Sequence, residues 1–373
     1  MQPSLAVFFS HGVSLATWSR TGMSTKEVGY YRALEKSFGS IVFVTYDQPA
    51  DELPTLIASL GTLGVVYNRW RLPYQLFGFV APLLHFRALR RATLLKTNQL
   101  NGAWTAVLAK WLLRKPLVVR CGHVPSRHGV LDPRAPRGRL RVKLVVALEK
   151  LAVRTADLVF AATPSDIRYL VERHGIDESK TRHVPTPIDT EQFAPRTDVA
   201  REENLVVYVG RLVEEKNVHL LVDACQSLPG VKLRLIGTGP LEAELRAKSD
   251  PARVQFVGAV PNVELPRHLA EASVFVLPSD YEGSPKALLE AMAAGVAVVG
   301  TRVDGIREIV DDGRTGLLCD RSSDAIRTAI DRLLRDASLR ARLGAAAREF
   351  VVRGYSQRDV VRRETEYLSA LLP

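Results

Sequence analysis

The stretch "EGSPKALLEAMAAG", residues 282–295, places a carboxylate inside an otherwise apolar helical run. Glu290 is flanked by Leu288, Leu289, Ala291 and Met292. A carboxylate removed from water needs hydrogen-bond donors, and sugar or ribose hydroxyls are donors of that kind. Ser284 reads as the helix N-cap and Pro285 as its first helical residue. The unpaired N–H groups of residues 284–287 and the positive end of the helix then form a ready anion site. A second carboxylate, Glu282, stands just ahead of it. The plain alternative for Glu290 taken alone is a glutamate on a helix surface.

Other residues suit the same chemistry. In "VVYVGRLVEEKN", residues 206–217, a buried strand ends at Gly210, followed by Arg211 and then Lys216. Two cations at a strand's carboxyl end can clamp a diphosphate, or they can be solvated loop charges. In "LRLIGTGPLEAEL", residues 233–245, Gly237 and Gly239 follow a strand, and a helix is expected to open at Pro240. Glycines there permit close backbone approach to a ligand. A dinucleotide fingerprint would need glycine where Glu242 stands, which weakens a NAD reading. "PLVVRCGHVPSRHG" sets His123 just after a buried strand, where it is either a site residue or a structural histidine; His128 follows in a polar segment. The long loop before the capping-box pattern Ser24–Glu27 contains Gly22 and could close over a phosphate or an acceptor.

These residues need elements to hold them. Short β-rich runs alternate with helical stretches: "LAVFFS", "IVFVTY", "GVVYN", "TLLKT", "PLVVRC" and "DLVFAAT", then "NLVVYVG", "VKLRLIG", "VQFVG", "VFVLPS", "VAVVGT" and "TGLLC". Most are continuously apolar rather than alternating, as in parallel sheets covered on both faces. The expectation is an α/β chain with two doubly wound parallel-sheet domains facing across a cleft. The proline-rich segment 183–204 is the linker candidate, giving a first domain at 1–195, a second at 196–356, and a terminal helix, 357–373, packing back on the first. Ligands bind at the carboxyl ends of such sheets.

Composition sets bounds. The 373 residues are 46% hydrophobic and 24% charged, as in a globular protein with a substantial core. No apolar run is long enough to span a membrane and the N-terminus lacks a basic leader, so a cytoplasmic protein is expected. Three scattered cysteines argue against a disulfide framework or a zinc site. The net charge of +11 is uneven: residues 1–197 hold 27 Lys+Arg against 14 Asp+Glu, a balance of +13, and the remainder balances at −2. A basic half can face nucleic acid, anionic lipid or an anionic substrate.

In their order along the chain, "VGRLVEEKN", "LIGTGPLEAEL", "VQFVGAVPN", "VFVLPSDYEGSPKALLEAMAAGVAVVGT" and "GIREIVDDGRTGLL" resemble the family 4 glycosyltransferases, which have the GT-B fold of two Rossmann-like domains. The resemblance is strongest over residues 204–320. It implies a nucleotide-sugar donor, UDP- or GDP-linked, held mainly by the second domain. Arg211 and Lys216 match the family's diphosphate-binding pair. Glu290 matches the residue that binds the ribose hydroxyls, and Glu282 the one near the sugar hydroxyls. The backbone of Gly283, Ser284, Pro285, Lys286 and Ala287 would cradle phosphate, and Val260 lies where base contacts fall. Gly22 sits near the family's phosphate loop, and His123 aligns with a histidine beside the transferred sugar. Gly210, Gly237 and Gly239 complete the donor-side set.

The resemblance implies transfer with retention of anomeric configuration. The favoured route is attack from the same face, the leaving diphosphate being stabilised by Arg211, Lys216 and helix-end N–H groups. With fixed cations in this role and no D-x-D string, no metal or other cofactor is expected. A nucleotide-sugar epimerase of the same fold and a non-catalytic nucleotide-sugar-binding protein are the alternatives. The basic stretches 85–96, 110–115 and 134–154 mix cations with apolar residues and could rest on the inner face of an anionic membrane. The acceptor expected is a hydroxyl of a glycan, lipid-linked or small molecule; a glycan or lipid-linked one, as in polysaccharide biosynthesis, suits such a surface. No nucleic-acid platform is recognised.

Overall fold

Among the described residues, the twelve apolar runs and one polar edge segment form thirteen strands in two wholly parallel sheets. A computed structural model describes residues 3–10, 13–20, 24–48, 58, 60–128 and 139–372. The chain divides into two compact units, Met1–Pro185 with Val360–Pro373, and Thr186–Asp359.

The first unit's sheet comprises β1 (Ser4–Phe8), β2 (Ser40–Val44), β3 (Gly64–Val66), β4 (Leu94–Thr97), β5 (Leu117–Cys121), β6 (Leu158–Ala161) and β7 (Thr181–His183). Their order is β3-β2-β1-β4-β5-β6-β7. Ala6 sits between Val42 of β2 and Leu95 of β4. Side chains alternate along a strand, and both faces of β1 are covered. Leu5 and Val7 join one apolar cluster with Val28, Tyr31 and Leu34 of the helix Ser24–Glu35. Ala6 and Phe8 join another with Ala106 and Val107 of the helix Trp104–Leu113. That double covering is why the strands read as unbroken apolar runs. The strand absent from the sequence reading is β7, whose "TRH" is polar and half-exposed at the sheet edge.

The second unit's strands are β8 (Leu205–Val209), β9 (Lys232–Ile236), β10 (Val254–Gly258), β11 (Val274–Leu277), β12 (Ala297–Thr301) and β13 (Leu317–Cys319), in the order β10-β9-β8-β11-β12-β13. The order reverses between β8 and β11, which pair directly through Val206–Val274 and Val207–Phe275. The segment 186–195, expected at the tail of the first domain, belongs to this unit: Ile188 and Phe193 are buried in its core. At the other end, the helix Gln357–Ser369 passes from one unit to the other at Val360. Val360, Val361 and Leu368 then enter the first unit's core.

Among the described residues, no helix is long and apolar enough to cross a membrane.

Candidate active site

Ligand sites in open α/β sheets form where strand order reverses, outside the carboxyl ends of the two strands involved. In the second unit those strands are β8 and β11. Their loops, Gly210–Asn217 and Pro278–Pro285, carry most of the residues singled out from the sequence.

The two loops are stapled together. The amide N–H of Asp280 donates to the Glu215 carbonyl at 2.8 Å. Asn217, in the left-handed region at φ 47°, sends its side-chain amide to Asp280 Oδ1 at 2.5 Å and to the Pro278 carbonyl at 3.2 Å. Asparagine tolerates that backbone better than most residues. With the turn so fixed, Lys216 Nζ meets Glu282 Oε1 at 2.6 Å, their side chains 15% and 11% exposed. Ser279 Oγ donates to the same carboxylate oxygen at 2.6 Å. The Ser279 carbonyl in turn accepts from Thr301 Oγ1 at 2.6 Å. Sequence reasoning paired neither Lys216 with Glu282 nor either with Ser279.

The helix after the second loop begins at Lys286 with Pro285 as its N-cap, one residue later than expected. Ser284 is therefore not the cap. Its Oγ is shielded from solvent and has no hydrogen-bond partner among the described residues. Glu290 is buried, not a surface glutamate. Its Oε1 lies 3.2 Å from Lys286 Nζ, one turn earlier, and 3.4 Å from Asn262 Nδ2. Gln192 Nε2 holds Asn262 through its carbonyl and side-chain oxygens at 3.0 and 3.1 Å. Leu288, Leu289 and Met292 are fully buried around it. At about 1.5–3 kcal/mol per buried side chain, they hold the helix in place against the several kcal/mol that desolvating a paired carboxylate costs.

Arg211 is placed differently. Its guanidinium is 72% exposed and pairs with Glu215 at 3.1 Å, while its backbone is held by the buried Tyr208, whose hydroxyl donates to the Arg211 carbonyl at 2.8 Å. Burial, then the nearby Glu282 charge, raises the Tyr208 pKa, so the phenol stays a neutral donor. Gly237, at φ +129°, and Gly239 use their bare Cα atoms to admit this same loop. A Cβ on either would collide with the carbonyl of Gly210 or Leu212. The helix expected at Pro240 starts at Glu242, two residues on, because Gly239–Leu241 turn under the β8 loop, with the Leu241 amide bonded to the Leu212 carbonyl at 3.1 Å. Gly305 went unnoticed in the sequence: any side chain there would strike the carbonyls of Glu282 and Gly283. Ala287 and Val260 are half-buried and pack against the second unit's core.

In the first unit, His123 is exposed and follows β5. Its loop is tied down on both sides. Gly122 donates its amide to Gln99 Oε1 at 2.9 Å. The amide of Ser126 donates to Glu149 Oε2 at 3.1 Å, and the Ser126 hydroxyl donates to the other oxygen of that carboxylate. His174 Nε2 lies 2.5 Å from the same carboxylate. Gly22 lies outside the described residues. Among them, no group of three or more His, Cys, Asp or Glu side chains is gathered to hold a metal ion.

Residues 189–350 match the family described as Glycosyl transferases group 1, and residues 31–192 match Glycosyltransferase Family 4. The chain is 32% identical over 312 residues to a GDP-mannose-dependent alpha-(1-6)-phosphatidylinositol monomannoside mannosyltransferase of Mycolicibacterium smegmatis. That alignment covers 76% of this chain and 80% of the mannosyltransferase. It is 30% identical over 223 residues to a sulfoquinovosyl transferase of Arabidopsis thaliana, covering 56% of this chain and 44% of that protein. The crystal structure of Anabaena HepE in complex with UDP superposes with a TM-score of 0.77 at 19% identity, over 98% of this chain and all of HepE. The two-domain Rossmann-like fold is thus shared.

Proposed function

This chain belongs to the family 4 glycosyltransferases, and on that premise we propose that it moves a sugar from a nucleoside-diphosphate sugar to an acceptor hydroxyl with retention of configuration. The observation that carries this reading is the Lys216–Glu282 pair, bridging the two loops at the β8/β11 reversal with a window to solvent. Lys216 neutralises Glu282 until a diphosphate offers it a second anion. The shielded, unpartnered Ser284 hydroxyl and the N–H groups of the helix's first turn stand beside it as further donors. Arg211 supplies a mobile cation from the loop's outer edge. Glu290, one turn into the helix, takes the ribose hydroxyls, and Val260 borders the base.

In the reaction the bond between the anomeric carbon and the diphosphate oxygen breaks as the acceptor oxygen bonds to that carbon from the same face. The acceptor's proton passes to an oxygen of the departing diphosphate. Charge accumulating on that diphosphate is met by Lys216, Arg211 and backbone N–H groups, each fixed donor contributing on the order of 3 kcal/mol. Glu282 orients sugar hydroxyls, and His123 is assigned the family histidine's role beside the transferred sugar. Fixed cations do the work of a divalent metal in this scheme. A GDP-mannose-dependent relative that acts on a phosphatidylinositol mannoside, and a UDP complex of a structural neighbour, support a nucleotide-sugar donor and a lipid-linked or glycan acceptor at a membrane surface.

The test is incubation with GDP-mannose and with common UDP-sugars, with and without a glycolipid fraction and with chelator present. Nucleoside diphosphate release that rises with acceptor, and a product whose anomeric proton signal keeps the donor's configuration, are expected. Donor isomerisation without acceptor would instead mark an epimerase, and an inverted product would rule out same-face attack.

A further inference from the structure

The 79 residues between Glu52 and Asp132 contain eleven Lys and Arg and no Asp or Glu. Four of these cations are used inside the first unit: Lys96 and Arg120 on Glu364, Lys110 on Asp157, and Arg127 on Asp166. The remaining seven are Arg69, Arg71, Arg87, Arg90, Arg91, Arg114 and Lys115. None has an ion-pair partner among the described residues. The first five bracket one element, the helix Tyr74–Leu84, which has no charged residue of its own.

That helix is apolar on both sides. Its inner face, Phe77, Gly78 and Ala81, is buried: Phe77 packs edge-on to Tyr46, and Gly78 leaves room for the Trp104 ring. Its outer face repeats at helical spacing with Leu76, Phe79 and Leu83, which are 47%, 60% and 63% exposed. Trp70 and Phe86, at the two ends, are 50% and 40% exposed. A helix apolar all round is normally enclosed by protein or by lipid. Its eleven residues are about 16 Å long, roughly half a bilayer's hydrocarbon thickness, so it can lie in a membrane surface but not cross one.

We infer that this face, Leu76, Phe79 and Leu83 with its flanking arginines, is the edge by which the first unit docks on an anionic phospholipid bilayer. This rests on the reading of a membrane-surface acceptor and assigns it an address: a helix just ahead of the basic stretch 85–96, together with arginines of that stretch. Apolar side chains at the centre enter the acyl boundary while the arginines at its ends meet lipid phosphates. The charge decides against a second copy of the chain as the occupant. Two such faces brought together would oppose ten like charges, and the segment 53–131 that carries them has no acidic residue of its own.

The experiment is co-sedimentation of the full chain with phosphatidylcholine vesicles, with and without phosphatidylglycerol, alongside nucleoside diphosphate binding. The parent is expected to pellet only with the anionic vesicles, less so at high salt. The double variant Phe79→Asp/Leu83→Asp should weaken that binding at least about tenfold, as should Arg87→Glu/Arg90→Glu. The arginine variant alters exposed side chains alone and should unfold at the parent's temperature; the apolar variant also loses the 4.5 Å contact of Phe79 with the Trp104 ring and should melt somewhat earlier; both should bind nucleoside diphosphate unchanged. A parent that stays in the supernatant overturns the inference, as do variants that pellet like the parent. So does a parent dimer that the apolar double variant dissociates while vesicle binding persists. Vesicle binding without any donor turnover sinks the transferase reading and leaves this one standing; turnover without vesicle binding does the reverse.

Discussion

Each unit contains a lysine–glutamate pair, and the two are built for opposite ends. Lys96 Nζ and Glu364 Oε1 are 3.1 Å apart with both side chains 0% exposed. Arg120 and the Tyr30 hydroxyl also reach that carboxylate. Burial and Arg120 pull the Lys96 ammonium's pKa down, and Glu364 only partly restores it. Nothing from solution can enter such a cluster, so its use is mechanical: it fastens the terminal helix to the sheet of the first unit. Lys216 and Glu282 are closer, yet each keeps a solvent-facing margin. Sealing makes a fastener; a margin makes a site whose anion can be exchanged.

Replacing Glu364 by Gln should have the largest effect. Two buried cations would lose their carboxylate, at a cost of about 3–5 kcal/mol. All four tryptophans, Trp18, Trp70, Trp104 and Trp111, are in the first unit, so tryptophan fluorescence reports its unfolding alone. Acid sharpens the comparison. Burial raises the Glu364 pKa, but Lys96 and Arg120 lower it further, leaving it below its ordinary 4.5. A carboxyl with a depressed folded pKa contributes stability that is complete above 4.5 and lost as pH falls through the folded value. The parent's fluorescence midpoint in denaturant should therefore drop on acidification below 4.5, and the Gln variant's should respond less. Equal midpoints at neutral pH would show that the pair fastens nothing.

Lys216→Ala comes next. Loss of one fixed donor to the departing diphosphate should lower kcat/KM by roughly a hundredfold to a thousandfold, with thermal unfolding followed by circular dichroism unchanged. If nucleoside diphosphate still binds with parental affinity, Lys216 is not part of the site. Gly305→Ala should be milder. The new methyl group pushes on the carbonyls of Glu282 and Gly283, an overpacking strain of about 1–3 kcal/mol. The second unit should melt earlier and the donor KM rise, while vesicle binding by the first unit stays as it was. A variant with parental melting and KM would mean that the loop yields freely.

The same contrast explains what could be read from sequence. Strands buried on both faces announce themselves as unbroken apolar runs, so every strand but one was legible; β7, at an edge and spelled Thr-Arg-His, carries no such signal. Glu290 was legible because a carboxylate among leucines is conspicuous. Glu149 carries the same signal, the one acid in a long basic stretch, and it anchors the loop after His123. The Arg120–Glu364 contact joins residues 244 apart in sequence, and no local pattern encodes it. Asn262, Ser279 and Gly305 are likewise ordinary residues in their own segments and matter only for what the fold brings to them. The start of the helix at Lys286 turned on backbone geometry: Pro285 sits at ψ 84°, outside the helical region, so the cap falls on it and not on Ser284.

Tyr208→Phe is the smallest predicted effect and the finest test of how the exposed cation is aimed. The guanidinium of Arg211 is largely exposed and its partner Glu215 belongs to the same loop, so the placement of its backbone determines what it can reach. Two constraints fix that backbone: the collision that excludes a side chain from Gly237 and the 2.8 Å hydrogen bond from the Tyr208 hydroxyl to the Arg211 carbonyl. Removing the hydroxyl deletes one neutral hydrogen bond, about 1 kcal/mol, or up to about fivefold in nucleoside diphosphate affinity. The ring is wholly buried and Phe fills the same volume, so folding of the second unit should barely change. Because burial and Glu282 hold the phenol's pKa well above its ordinary value, the deficit should be the same across neutral and mildly alkaline pH. A deficit that shrinks as pH rises in that range would mean the parent's phenol ionises there and loses its hydrogen bond to the Arg211 carbonyl, so that it is not a lasting tether. No deficit at any pH would mean that Gly237 alone sets the loop.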